Sequence, residues 1–298
     1  FKEFMKSFIN TQPTEQIELI LVAKKRNDYK NLIKVQFLSI KQIFIMDNES
    51  VGFALEKAVK LATSEIIIFF EDHVKILNGS FEDILKIYLK YNYASIGFII
   101  IPSSMNSYIN FVDYLISYSS FGPNTRIGER DEPIAGNNVI YSKSTLIRQD
   151  FNLSLLLESP YLLQKKILQD GERIYFSDKF LIEHYSIKSF SKLISEIYWI
   201  SWLFAGIRQK IYNWSYTKRL LFSFALPIKP FVRLYFLFNY STGSKYYNKK
   251  LLLKHILGIF SILTVGTIGE MLGHLFGIRK SRIKYTDSIM GMNRYENI

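Results

Sequence analysis

The sequence predicts a mixed α/β domain over residues 1–190, followed by a basic, apolar helical region over residues 191–298. Three observations lead there. Short runs rich in β-branched and aromatic residues, at 18–22, 65–70 and 95–101, alternate with stretches whose apolar residues recur at helical spacing. Past His184 come three longer apolar stretches, 197–207, 220–240 and 251–278. The charge is lopsided as well. Of the net +12, nearly all lies from Glu196 onward, where 15 Lys/Arg face 4 Asp/Glu; the first 195 residues hold 23 against 22.

Taken in order, Phe1, Phe4, Met5 and Phe8 sit at helical spacing, so the sequence is expected to begin inside a helix, with residues missing upstream. ELILV (18–22) reads as a short buried strand, and a second short strand is expected near 43–46. Val51, Leu55, Ala58 and Ala62 mark one face of a helix. EIIIFF (65–70) is too short for a helix and is expected to be a strand buried on both faces. Helix and strand together would be half of a βαβ unit. Asn78-Gly79 makes a turn. Ser80, with Asp83 three residues on, starts a helix whose buried face is Phe81, Ile84, Leu85, Tyr88 and Leu89.

A third strand, 95–101, is ended by Pro102; a helix over 108–118 and the polar loop GPNTRIGERDE (122–132) follow. AGNNVIY (135–141) leads into a short helix after Ser142. Ser159 suits an N-cap, Pro160 the first helical position and Gly171 the C′ position. Glu158 stands just before that helix, whose dipole favours an ionised carboxylate. Residues 173–184 return as one or two strands ending in Glu183-His184.

The absence of cysteine excludes disulfides and thiolate metal sites and is compatible with a reducing compartment. A content of 48% hydrophobic and 16% aromatic residues excludes a disordered chain. A segment both basic and apolar suits an anionic membrane surface better than nucleic acid, with a basic solvated helical domain as the alternative.

The stretch FFEDHVKI (69–76) carries the most chemistry. Five apolar residues end in Glu71-Asp72-His73, which reads either as a metal site on a strand tip or as a strand ending in a solvated loop. The order SVGFALEKAVKLATSEIIIFFEDH, then AGNNVIYSKSTL, then LESPYLLQKKILQDGERIYFSDKFLIEHY resembles the family 2 glycosyltransferases over about residues 1–190. The resemblance implies a GT-A fold, with the family's first strand lying upstream of Phe1. It puts Glu71 and His73 on the two acidic positions of the family's D-x-D motif, with Asp72 between them. That motif holds a divalent metal, Mg or Mn, and the diphosphate of a nucleotide sugar. It sets Gly136, Asn137 and Asn138 near the acceptor, Glu158 in the catalytic-base position, and His184 as the closing histidine and a third metal ligand. Two departures stand out: D-x-D has become E-D-H, and the spacing from Glu158 to Gly171 differs by about one residue. Outside the resemblance each residue keeps a plainer reading. Glu71 and Asp72 could be solvated acids, His184 and Glu183 a salt-bridging pair, Asn137 and Asn138 a simple turn, and Glu158 a partner for a helix N-terminus.

In the C-terminal third, prolines and charges break the second apolar stretch, while the third holds an uncharged run, 256–269, close to the roughly 20 residues that a span requires. Basic clusters flank each stretch. Interfacial or re-entrant helices, with every cluster on the cytoplasmic side, fit this better than two spans. TIGEMLGHLFG resembles a glycine-rich C-terminal helix of membrane-bound members of the family. Its Gly266, Gly269, Gly273 and Gly277 suit close helix packing. The expectation is an inverting glycosyltransferase at the cytoplasmic face of the membrane. Its partners would be a nucleotide-diphosphate sugar and a lipid-linked or polysaccharide acceptor, with no nucleic acid. A non-catalytic membrane-associated protein of the same fold is the alternative, and a nucleotidyltransferase a more distant one.

Overall fold

A computed structural model describes residues 2–11, 17–24, 39–46, 48–104, 107–149, 152–240 and 248–290. The chain forms two compact units. Of the described residues, those up to Ser103 and from Ser120 to Tyr185 form the first; those from Ser104 to Ser119 and from Ser186 on form the second. The main division falls after Tyr185, and the helix after Pro102 belongs to the second unit.

The first unit is mixed α/β. It opens with α1 (Lys2–Asn10), β1 (Glu18–Ala23), β2 (Ser39–Phe44), α2 (Val51–Leu61), β3 (Ile66–Phe69), β4 (Val74–Gly79), α3 (Phe81–Tyr91) and β5 (Ser95–Pro102). Helix α4 (Tyr108–Ser117) belongs to the second unit. The first unit resumes with β6 (Gly128–Arg130), β7 (Val139–Ser142), α5 (Lys143–Ile147), α6 (Leu153–Leu157), α7 (Pro160–Gln169) and β8 (Ile174–His184).

Several local signals act where the sequence places them, but Ser159, expected as an N-cap, makes no side-chain capping hydrogen bond, and Asn78-Gly79, expected as a turn, lies within β4. Ser80 accepts a hydrogen bond from Asp83 N–H and caps α3. Ser142 caps α5, and Gly171 leaves α7 at φ 79°. Glu65 ties the entry of β3 to α5, accepting from Ser142 Oγ at 2.6 Å and Ser144 N–H at 3.0 Å. Burial pushes its carboxyl up, but those two hydrogen bonds more than offset this and hold it below the usual carboxylate range.

Six strands form one sheet in the order β3-β7-β5-β8-β4, with β6 on β8; β5 and β8 run parallel and the other pairs antiparallel. β1 and β2 pair in parallel as a separate two-stranded sheet. Two expectations are corrected here. β2, α2 and β3 do not make a βαβ unit within one sheet among the described residues. β3 is not buried on both faces either: it pairs only with β7, and all four of its residues are partly exposed. An apolar run does not distinguish an edge strand from a central one. The central position belongs to β5, six of whose eight residues are buried.

The turn between β3 and β4 shapes the sheet. Phe69 to Val74 is five residue steps, which reach about 17 Å when fully extended. Crossing four strand spacings of a flat sheet needs about 19 Å. Asp72 and His73 form a turn, so the link reaches less still, and the sheet must curl to bring the ends of β3 and β4 together. The curled face encloses Phe98, Phe180, Ile96, Ile140, Ile182, Val74 and Ile76, and α1 covers it with Phe4, Met5 and Phe8. Ile76 N–H donates to Ser7 Oγ at 3.0 Å, fastening α1 to β4.

The second unit is helical: α4, α8 (Phe190–Ile211), α9 (Tyr216–Ala225), a 3-10 turn at Leu226–Ile228, α10 (Lys229–Tyr240), α11 (Lys249–Lys254), α12 (Ile256–Phe276) and α13 (Ser281–Met290). Its core gathers Phe111, Val112 and Leu115 of α4 with Leu193, Leu252, Ile259, Ile262 and Leu263. α12 lies against α8 at backbone contact. A Cβ on Gly269 would stand 2.5 Å from Tyr198 O, and one on Gly273 would stand 2.4 Å from Trp202 O. By length and composition, Tyr216–Asn239 and Ile256–Phe276 could each cross a membrane; 17% and 44% of their most apolar windows are buried. The first carries Pro227 and Pro230 and the 3-10 turn at its middle.

Leu89, expected on the buried face of α3, is 77% exposed, whereas Phe98 is fully buried. Phe98→Ala should therefore cost about 3–5 kcal/mol. Leu89→Ala should stay within about 0.5 kcal/mol. Chemical denaturation of the two variants measures both; equal losses would contradict this packing.

Candidate active site

Strand register builds the site. Extending the β3–β7 pairing past Phe69↔Val139 sets Asn138 opposite Phe70 and Asn137 opposite Glu71. Glu71 N–H donates to Asn138 Oδ1 at 3.0 Å, and Asn138 Nδ2 returns to Glu71 Oε2 at 2.8 Å. Asn137 Nδ2 donates to Glu71 Oε1, also at 2.8 Å. One amide thus grips both the backbone and the side chain of Glu71, and a second holds its other oxygen. Asn138 is wholly buried at φ 55°, a left-handed conformation that asparagine tolerates better than most residues.

The histidines arrive from the other side of the curl. Phe180, Ile182 and His184 alternate inward along β8, so His184 continues an apolar face. β4 pairs Val74 with His184, and Tyr185 N–H donates to His73 O at 3.0 Å. The two imidazoles meet edge to face with centroids 4.8 Å apart. His73 Nε2 stands 3.8 Å and His184 Nε2 3.7 Å from Glu71 Oε2. Both rings are buried. Glu183, one residue before His184, points elsewhere: it accepts from Tyr185 Oη at 2.9 Å. Burial, followed by that bond to Glu183, pushes the Tyr185 phenol up to about 12.

Glu71, His73 and His184 offer ligand atoms within 4.8 Å of one another, the one such trio among the described residues. Asp72 Oδ1 lies 3.0 Å from His73 Nδ1. A carboxylate there fixes the proton on Nδ1 and turns the lone pair of Nε2 toward Glu71, as outer carboxylates do at metal-bound histidines. Ligands bound at right angles at about 2.1 Å stand about 3 Å apart, so the trio, with ligand atoms within 4.8 Å of one another, would have to close inward to hold a divalent cation. The donor set fits a metal, and with two imidazoles it suits Mn better than the harder Mg.

Gly136 and Glu158 are placed by packing. A Cβ on Gly136 would lie 1.8 Å from Pro160 Cβ, so only glycine lets the first turn of α7 press on the Gly-Asn-Asn turn. Gln164 of α7 braces the same segment: Ile134 N–H donates to its Oε1, and its Nε2 donates to Ala135 O and Tyr141 Oη. The sequence reading passed over Gln164; a glutamine among apolar helix positions was the available signal. Glu158 is buried and lies outside the trio. Its Oε1 accepts from Gly52 N–H at 3.0 Å in the first turn of α2. A Cβ on Gly52 would stand 2.5 Å from Glu158 Cγ, so glycine admits the carboxylate. The helix it serves is α2, 106 residues upstream.

No family model matches the sequence, and no curated protein matches it. Among solved structures, the chain is similar to S. aureus TarS 1-349 at 10% identity and a TM-score of 0.41, over 97% of this chain and 84% of that one. It is similar to the same protein in complex with UDP-GlcNAc at 11% and 0.43, over 90% and 86%. With UDP bound the values are 11% and 0.37, over 90% and 87%. These likenesses are loose, and the site's chemistry stands on its own residues.

The geometry predicts Mn²⁺ binding that Glu71→Ala or His184→Ala abolishes and Asp72→Asn weakens roughly 10–100-fold. Titration calorimetry or Mn²⁺ electron paramagnetic resonance reads it. Wild-type affinity in His184→Ala would remove that histidine from the ligand set.

Proposed function

We propose that this chain is an inverting glycosyltransferase of GT-A fold, using a nucleotide-diphosphate sugar and a lipid-linked or polysaccharide acceptor at the cytoplasmic face of the membrane. The observation that carries the reading is the convergence of Glu71, His73 and His184 with Asn137 and Asn138 at one end of the sheet. A buried, oriented trio of this kind is suited to the neighbourhood of a diphosphate leaving group. A divalent cation held by these three residues would offset the charge that develops on that diphosphate.

In the reaction, the acceptor oxygen bonds to the anomeric carbon as the bond from that carbon to the diphosphate oxygen breaks, inverting the centre. The nucleoside diphosphate leaves with the bonding electron pair. The acceptor's hydroxyl proton passes to Glu158, the residue assigned as base. The contact of Gly136 with Pro160 supports that assignment, because it ties the segment just after Glu158 to the turn bearing Asn137 and Asn138. Those two asparagines orient Glu71 and border the acceptor side. The membrane reading is supported by the exposed apolar residues of α9, the 3-10 turn and α10, among them Leu221, Phe224, Ile228, Phe231 and Tyr235, within the basic C-terminal third.

One observation favours a second reading. The buried Glu158 carboxylate engages Gly52, as a residue that only holds α2 would, in a non-catalytic protein retaining this fold. Glu158→Gln separates the two, since the amide oxygen still accepts from Gly52 N–H but is not a base. The catalytic reading predicts that a panel of nucleotide-diphosphate sugars contains one bound in the presence of Mn²⁺ by wild type and Glu158→Gln alike. It also predicts transfer reduced at least about 100-fold in the variant. No binding of any donor, or undiminished transfer by Glu158→Gln, would overturn the respective assignment.

A further inference from the structure

The second unit holds a buried polar cluster that the proposed reaction does not use. Arg208 of α8 approaches two residues of α12: its Nη2 lies 2.7 Å from His274 Nε2 and 3.7 Å from Glu270 Oε2. Lys229, at the start of α10, pairs with the other oxygen of Glu270. Arg219 of α9 donates through Nη1 to Gln209 Oε1 at 3.0 Å, and Gln209 Nε2 donates to Gly273 O at 2.6 Å. Trp214 stacks on the His274 ring with centroids 5.2 Å apart, and Arg208 lies over its indole. Arg208 and Lys229 thus share one carboxylate, while Arg219 is bonded to a neutral amide.

The proton inventory sharpens this. A guanidinium only donates, so His274 Nε2 must be the acceptor and the imidazole proton sits on Nδ1. His274 is wholly buried, and among the described residues neither its Nδ1 nor Arg219 Nε has a hydrogen-bond partner. A buried donor left without an acceptor is destabilising. Among the described residues, the cluster therefore holds two buried N–H donors that lack an acceptor.

We propose that Arg208, Arg219 and His274 form a binding site for a phosphate group. Guanidinium forks match the multiple oxygens of phosphate, and the ligand supplies the acceptors that His274 Nδ1 and Arg219 Nε lack. α9 and α10, which carry Arg219 and Lys229, also present exposed apolar side chains, with Phe224 at 79% exposure. A phospholipid headgroup flanked by its own acyl chains satisfies both features, and free phosphate satisfies the first. The site stands independently of glycosyl transfer.

The test uses the full chain, with thermal shift in inorganic phosphate and co-sedimentation with phosphatidylcholine vesicles with and without phosphatidic acid. Three variants are compared. Arg219→Lys keeps the charge but lacks Nε. His274→Gln keeps an acceptor for Arg208 but lacks the Nδ1 donor. Lys250→Gln removes a charge elsewhere on the second unit. The expected result is that phosphate raises the melting temperature, or that phosphatidic acid strengthens vesicle binding, in wild type and Lys250→Gln. Arg219→Lys and His274→Gln should lose the response by about fivefold or more, the equivalent of about 1 kcal/mol. A response to inorganic phosphate identifies the free ion as sufficient; a response to phosphatidic acid alone identifies the headgroup. No response in wild type, or a loss in Lys250→Gln equal to that in Arg219→Lys, overturns the site.

Discussion

The candidate site depends on how Asn138 holds Glu71. A strand tip bearing three consecutive polar residues would ordinarily fray into solvent. Here one buried amide accepts from the Glu71 backbone and donates to its carboxylate, while Asn137 takes the second oxygen. Net contributions of charge-assisted hydrogen bonds are about 1.5–3 kcal/mol each, and their directionality matters more than their sum. They hold the carboxylate toward the histidines, so that a curl of the sheet brings three donors together instead of leaving three loose side chains.

The other features of the first unit serve this grip. Gly136 lets α7 close on the turn that carries both asparagines, and Gln164 keeps that turn's backbone satisfied inside the protein. Glu158 fastens α2, the helix that feeds β3, to the segment leading into α7. The same economy appears separately in the second unit, where glycines on α12 admit the backbone of α8 and bring Arg208 within reach of Glu270 and His274. In both units small residues set the approach of backbones, and buried polar side chains exploit it.

Local features were legible in the sequence. The cap at Ser80, the short helix after Ser142 and the C′ glycine at Gly171 each depend on neighbours a few residues away. Glu71, His73 and His184 became a set only through the resemblance, because their meeting depends on register and curl across strands far apart in sequence. The edge position of β3 and the exposure of Leu89 were not legible, since hydrophobicity records what a residue tolerates and not how many neighbours cover it. The attachment of Glu158 to Gly52 and the grouping of α4 with the C-terminal helices are likewise long-range facts. The polar cluster of the second unit escaped because Arg208, Arg219, Lys229, Glu270 and His274 lie on four helices with no shared motif.

The central claim is that Glu71, His73 and His184 hold a divalent cation where a nucleotide diphosphate would bind. Anomalous scattering from crystals grown with Mn²⁺ and a nucleoside diphosphate tests it most directly. The account predicts one strong peak roughly 2.0–2.3 Å from a Glu71 carboxylate oxygen and from the Nε2 atoms of both histidines, with diphosphate oxygens completing the shell. A diphosphate bound elsewhere, or bound there with no metal between it and Glu71, would contradict it.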